Sequence, residues 1–272
     1  MREKIRRFLA RHRRHWLVGK IGRNLGYYHQ GFDNQDYDPL TNGEKFVLES
    51  LARVRPAATI LDVGAHYGEW AALAAATVPR GRIHSFEAIP GNFARLRQAC
   101  AGLPQVTPHA LGLGEADGEL EFFVVRGREE LSSALPGVHG TMHRMPFETL
   151  RCPVVTGRRF CAEHDLPEVD FLKIDVEGLE HAVLRGFGPM LDERRIRMIQ
   201  FEYGQLNLQA RFFLGDFYEL LGRRGYRLGK IYPAYVDFKE YHFTDDTLTG
   251  PNYLAVNADE TELLRHLSGG NA

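Results

Sequence analysis

The sequence predicts an α/β fold: a mostly parallel sheet with helices on both faces, closed at one edge by an antiparallel strand. Three observations carry this. From Thr59 onward, short apolar runs alternate with helical periods, the pattern of consecutive βαβ units. The first run, Ile60-Leu61-Asp62-Val63, ends in a glycine-bearing turn that runs into a helix, as strands do where a ligand sits beyond their carboxyl ends. The chain then finishes with two β-rich runs, 226–231 and 252–257, joined by a long aromatic loop.

Taken in order, residues 1–21 place Ile5, Phe8, Leu9, Trp16, Leu17 and Ile21 near a helical period with Arg and Lys between them. This is a basic amphipathic helix. Its apolar stripe is expected to pack on the chain's own domain, the alternative being peripheral contact with an anionic membrane surface. Residues 24–39, rich in Gly, Tyr, Asn and Asp, read as an irregular connector. A helix follows over 44–54, with Asn42 as its cap. Strands are expected over 59–63, 82–86 and 106–111, and helices over 69–77 and 92–100 between them. A further strand covers 119–125, and 126–153 lacks clear periodicity, as insertions that touch substrate often do. Regularity returns with strands over 169–174 and 197–201 and helices over 177–187 and 216–224.

The chain carries 34 basic and 35 acidic residues, but nine Lys/Arg fall within residues 1–23 with Glu3 as the only acid. The body is therefore acidic and no nucleic-acid partner is expected. No run of about 18 apolar residues occurs, and the basic start lacks the apolar stretch of a signal peptide, so the expected location is cytoplasmic. Cys100, Cys152 and Cys161 form no CxxC pair, which points to neither a disulfide framework nor a zinc site. His139 and His143 stand four apart, but Gly140 takes the place of the glutamate of a zinc-protease motif, so surface or substrate contact is the reading there.

Chemistry concentrates at three strand ends. After Asp62 the turn Gly64-Ala65-His66-Tyr67-Gly68 lets backbone approach a ligand. Its G-x-x-x-G spacing is not the G-x-G-x-x-G that wraps a pyrophosphate, which counts against a nicotinamide oxidoreductase. Glu87, in Ser85-Phe86-Glu87-Ala88, ends the next strand where an acid can accept both hydroxyls of a ribose. Asp175 and Glu177 end the strand 169–174 and should face the same crevice, with Glu202 at the end of the following strand. Asp175 is the first choice of general base, with Glu202 and His181 behind it. A divalent cation held by Asp175 and Glu202 is the alternative, which the sequence does not decide.

ILDVGAHYGEW, HSFEAIP, HALG, LSSAL and FLKIDVEGLEHAVLRGF resemble the successive motifs of the FkbM family of S-adenosylmethionine (SAM)-dependent methyltransferases, over roughly residues 42–257. The resemblance implies a Rossmann-like class I methyltransferase fold in residues 41–260, between a basic helix with its connector (1–40) and a C-terminal tail (261–272). It assigns Asp62, Gly64 and Gly68, with Ala65 and His66 in the same turn, to the methionine end of SAM. Glu87 with Ala88 goes to the ribose and Leu111 to the adenine neighbourhood. Asp175, Glu177 and Glu180 match the acidic motif and Ser132-Ser133 the serine pair, which reads with Glu177 as substrate contacts. His66 stands where family members commonly have Asn. The implied reaction is O-methylation of a sugar, glycan or polyketide-type acceptor; the alternatives are N- or carboxyl-methylation and a catalytically silent SAM-binding module.

Overall fold

A computed structural model describes residues 1–125, 132–135 and 146–270; His139 and His143 lie outside them. Two helices, α1 (Arg2–Arg11) and α2 (Trp16–Phe32), precede α3 (Glu44–Val54). The core alternation is β1 (Thr59–Val63), α4 (Glu69–Thr77), β2 (Arg82–Phe86), α5 (Pro90–Ala99) and β3 (Val106–His109). A side sheet follows: β4 (Gly112–Gly114), β5 (Gly118–Val125) and β6 (Phe147–Thr156). The core resumes with α6 (Gly157–Glu163), β7 (Val169–Ile174), α7 (Glu180–Phe187), α8 (Pro189–Asp192), β8 (Ile196–Glu202), α9 (Leu206–Ala210) and α10 (Leu214–Gly222). It ends with β9 (Tyr226–Tyr232), β10 (Tyr235–Phe238), β11 (Asn252–Asn257) and α11 (Thr261–Leu267).

The main sheet has eight strands in the order β10-β9-β11-β8-β7-β1-β2-β3. Strands β3, β2, β1, β7 and β8 run parallel, and β11 joins β8 antiparallel and pairs in turn with β9. This is the α/β sheet with an antiparallel edge that the sequence predicts. The order of connection reverses at β1, between β2 and β7, so a crevice opens at the carboxyl ends of these strands.

Both faces are covered because the central strands alternate two apolar sets. Leu61, Val63, Leu172, Ile174, Ile199 and Phe201 pack under α6, α7, α8 and α10 through Phe160, Val183, Phe187, Leu191 and Phe217. Ile60, Ile83, Phe171, Met198 and Leu254 face α3, α4 and α11 through Leu48, Leu51, Trp70, Ala74 and Leu263. The segment read as a tail thus supplies a core helix, with Leu263, Leu264 and Leu267 buried.

Three local readings are corrected. The basic segment is two helices, and the second runs through the expected connector to Phe32 because Leu17, Ile21, Leu25, Tyr28 and Phe32 keep one stripe despite four glycines. Among the described residues, none of α1 or α2 is buried, so the stripe does not pack on its own domain. Strand β6 occupies part of the stretch without periodicity. Pro153 argues against a central strand, yet β4 pairs only with Val154–Thr156, so the missing N–H falls where that edge is open. Finally, α7 begins at Glu180, because Glu177 and Gly178 take positive φ values of 57° and 100° and form a turn.

Candidate active site

The carboxyl ends of β1, β2 and β7 open into a cavity of about 670 Å³. Gly64, His66, Glu87 and Ala88 form one wall, and Asp175, Val176 and Glu177 another. The side sheet closes the third with Leu113, Phe122 and Val154, together with Ser132 and Ser133. Tyr37, from the segment after α2, completes the lining.

The glycine turn is held from within the chain. Gly64 and Ala65 both donate N–H to the Phe86 carbonyl, at 3.1 and 2.9 Å, and the His66 N–H goes to Glu87 Oε2 at 3.0 Å. Glu87 Oε1 accepts from Ile89 N at 2.8 Å. Burial pushes the Glu87 carboxyl up to about 7, against the two backbone donors that favour its charge. The glycines answer to packing as much as to a ligand: a Cβ on Gly64 would lie 1.8 Å from the Asp175 carbonyl oxygen, and one on Gly68 2.9 Å from Leu96 Cδ1. Any larger residue at 64 therefore disrupts the β1–β7 junction itself.

Beneath the cavity a polar row crosses the sheet. Strand register sets Ser85 beside Asp62, Asp62 beside Lys173, and Lys173 beside Gln200. All four are buried. Lys173 Nζ lies 3.4 Å from Asp62 and 3.3 Å from Asp175, and 5.6 Å from the centre of the Trp70 ring. Burial works against the ammonium, but the carboxylates of Asp175, Asp62 and Glu44 outweigh it and raise its pKa. Burial raises Asp62 in turn, opposed by Lys173. Glu44, at the start of α3, ends the row by accepting from Gln200 Nε2 at 2.6 Å and from Asn42 and Asn252, both at 2.8 Å.

Three acids meet beyond this row. Carboxylate oxygens of Asp175, Glu177 and Glu202 lie within 4.8 Å of one another. Burial and the charges of Asp175, Glu177 and Glu180 push Glu202 well above the ordinary carboxyl range. The turn carrying Asp175 and Glu177 is braced at both ends. Glu180 Oε1 accepts from Val176 N and Gly178 N, each at 3.1 Å, and Ser133 Oγ donates to the Glu177 carbonyl at 2.8 Å. Ser132 Oγ accepts from Val125 N at 3.3 Å. The serine pair thus ties the side sheet to the acidic turn.

Residues 62–228 match the family model of the methyltransferase FkbM domain, a span running from the polar row to β9 and taking in every wall of the cavity except Tyr37. The chain belongs to the FkbM methyltransferase family. Among solved structures it resembles an FkbM methyltransferase from Methylobacillus flagellatus KT at 16% identity and a TM-score of 0.45, covering 76% of this chain and 47% of that one. The chain therefore spans about half the length of that protein. It also resembles a precorrin-6y C5,15-methyltransferase from Geobacter metallireducens GS-15 (16% identity, TM-score 0.41, 78% and 86% covered). A third likeness is to Aeropyrum pernix fibrillarin with natively bound S-adenosyl-L-methionine (14%, 0.38, 74% and 66%). No curated protein matches the sequence.

In this FkbM domain the sequence-derived site residues divide. Gly64, His66, Glu87, Ala88, Ser132, Ser133, Asp175 and Glu177 line the cavity, and Glu202 touches its acidic wall. Among the described residues, Asp62, Ala65, Gly68, Leu111 and His181 are not part of the lining. Asp62 is wholly buried in the polar row, and Leu111, partly buried, packs against the hydrophobic core. His181 is stacked on Phe212 with ring centres 4.7 Å apart. Two residues escaped sequence reasoning. Lys173 had a readable signal, a cation inside an otherwise apolar strand, which must be paired if buried. Tyr37 had none; burial and the charges of Glu202, Glu177 and Asp175 raise its hydroxyl.

Proposed function

We propose that this FkbM methyltransferase moves a methyl group from SAM to a hydroxyl of a sugar, glycan or polyketide-type small molecule. The observation that carries the reading is the acid group Asp175, Glu177 and Glu202, which stands on the opposite side of β1 from Glu87. One strand end can hold a nucleoside while the other faces an acceptor.

The donor set suits SAM. Glu87 already accepts one N–H on each oxygen, but each keeps a further lone pair for a ribose hydroxyl, and such donors favour its charged form. Phe86, Ile89 and Leu113 offer an apolar wall for a base, and Gly64 and His66 line the side toward the acids. The bound cofactor would supply an electrophilic methyl group. The chain's own task is then to orient an acceptor oxygen and take its proton, since a neutral hydroxyl needs a base within hydrogen-bond reach. Asp175 is placed for that: it is at the wall, it pairs with Lys173 Nζ, and the brace from Glu180 and Ser133 fixes its turn. A carboxyl such as Glu202, pushed toward its protonated form, can donate a hydrogen bond to Asp175 and aim it.

Titration calorimetry with SAM, followed by transfer of labelled methyl to a panel of glycans, glycolipids, polyketides and amines, tests the reading. Label on a hydroxyl supports it. Label only on nitrogen or carboxyl overturns the acceptor class, and SAM binding without any transfer favours a silent module. A divalent cation on the three acids would polarise the hydroxyl instead, and it predicts that chelator abolishes turnover and Mg²⁺ or Mn²⁺ restores it.

A further inference from the structure

Helices α1 and α2 have no place in this chemistry, and their surface is unlike the rest of the molecule. On α2, Leu17, Ile21, Leu25, Tyr28 and Phe32 recur every three or four residues along one side, with exposures from 43% to 84%. On α1, Ile5 and Phe8 are likewise more than half exposed. A helix that keeps such a stripe ordinarily covers it. Around the stripe are the basic residues of the segment. Glu3 pairs with Arg6 and Arg7, and it is the only acid before Asp33. Among the described residues, Arg11, Arg13, Arg14, Lys20 and Arg23 come within 4.0 Å of no acidic side chain.

The charge decides what can cover this face. A second copy would set one cationic arm against another, and like charges oppose that contact. Nucleic acid would answer the charges but leave Leu17, Ile21, Leu25 and Phe32 in water. A surface both anionic and apolar beneath satisfies the two features together.

We propose that α1 and α2 form a peripheral anchor that lays its apolar stripe into an anionic lipid bilayer. The arm is fastened beside the cavity. Asp33 pairs with Lys230 at 3.1 Å, and buried Asn34 donates to the carbonyls of Asn42 and Ile231 at 2.7 and 2.9 Å. Only Gln35 and Asp36 separate Asn34 from Tyr37, which lines the cavity. Docking the arm therefore holds the cavity mouth near the lipid surface and suits acceptors carried there.

Co-sedimentation of the full chain with vesicles tests the anchor and needs no turnover, so its outcome is independent of the acceptor. The chain should pellet with mixed phosphatidylcholine and phosphatidylglycerol, and the bound fraction should fall by about tenfold with phosphatidylcholine alone or in high salt. Inorganic phosphate at the headgroup concentration should leave vesicle binding intact; full competition by it would identify a free anion as the ligand and overturn the bilayer. The variant Leu17→Ser/Ile21→Ser/Leu25→Ser should lose vesicle binding while its thermal melt and SAM affinity match the wild type, because none of the three is buried. Equal sedimentation of variant and wild type overturns the proposal. So does a concentration-dependent dimer, seen by ultracentrifugation without lipid, that the same substitutions abolish.

Discussion

The two halves of the cavity are built on opposite electrostatic terms. On the β1 and β2 side, the N–H groups of Gly64, Ala65, His66 and Ile89 are bonded to Phe86 and Glu87. That half is settled before any ligand arrives. On the β7 and β8 side, three carboxyls crowd together, with Lys173 as the cation facing Asp175. Like charges at this distance oppose simultaneous ionisation; the Lys173 ammonium offsets part of that repulsion, and the brace from Glu180 and Ser133 holds the turn that carries Asp175 and Glu177. The first half thus offers a fixed backbone frame and the second a cluster of acids, while Glu87, pushed up to about 7 by burial, leaves the first half sensitive to protons as well.

The largest effect should come from the crowded half. Asp175→Asn keeps the shape and removes the charge. Turnover is expected to fall by about 10²–10⁴, the range for a lost general base, with SAM affinity within a few-fold of wild type. Parallel loss of both, measured by single-turnover assay and calorimetry, would show that the halves do not divide the work as described.

Lys173→Met breaks the comparison from below, since it strips the shared cation from Asp62 and Asp175. Removing one partner of a buried pair typically costs about 3–5 kcal/mol, so denaturant melts should show a loss of that order. A stability within about 1 kcal/mol of wild type would mean that the row is not electrostatically coupled.

Burial raises Glu87 and Glu180 alike from 4.5 to about 7. A carboxyl raised in this way contributes stability that is complete below pH 4.5 and lost as pH rises through about 7. The loss should be of the order of 2–4 kcal/mol for each. Melts across this window should show the decline, and Glu180→Gln should make it shallower. An unchanged slope in that variant would remove Glu180 as a source.

The smallest effect sharpens the settled half. Glu87→Ala should weaken SAM binding by about 10–100-fold through lost charge-assisted hydrogen bonds, while the kcat of SAM-saturated enzyme changes less. Unchanged affinity in calorimetry would take Glu87 out of the ligand site.

The sequence made the settled half easier to read than the crowded one. Strand, acid and glycine turn are consecutive, so Gly64, His66 and Glu87 can be placed from local pattern alone. Asp175 and Glu202 were legible as strand tips, but the closeness of Glu177 to both depends on its left-handed turn at φ 57°, which no local propensity announces. His181 shows the limit of counting along a helix. It stands one residue into α7, and its ring stacks on Phe212, 31 residues further along the chain, a contact that helical spacing does not announce. Strand β6 escaped for a different reason: its outward residues are exposed and its partner β5 lies far back along the chain. Tyr37 reaches the cavity from a segment whose Asn34 and Asp33 are tied to β9, a long-range fact with no sequence mark.

The polar row also bears on how the sheet aligns itself while it forms. Parallel strands with two apolar faces can slide, since either set of side chains would find oily company. Here a slip of β7 by one residue against β1 would turn Lys173 to the opposite face, among Phe160, Val183 and Phe187, with an ammonium and no counterion. The matching slip of β1 would strand Asp62. Ser85, Asp62, Lys173 and Gln200 thus act as teeth on neighbouring combs, and only one meshing leaves every charge answered.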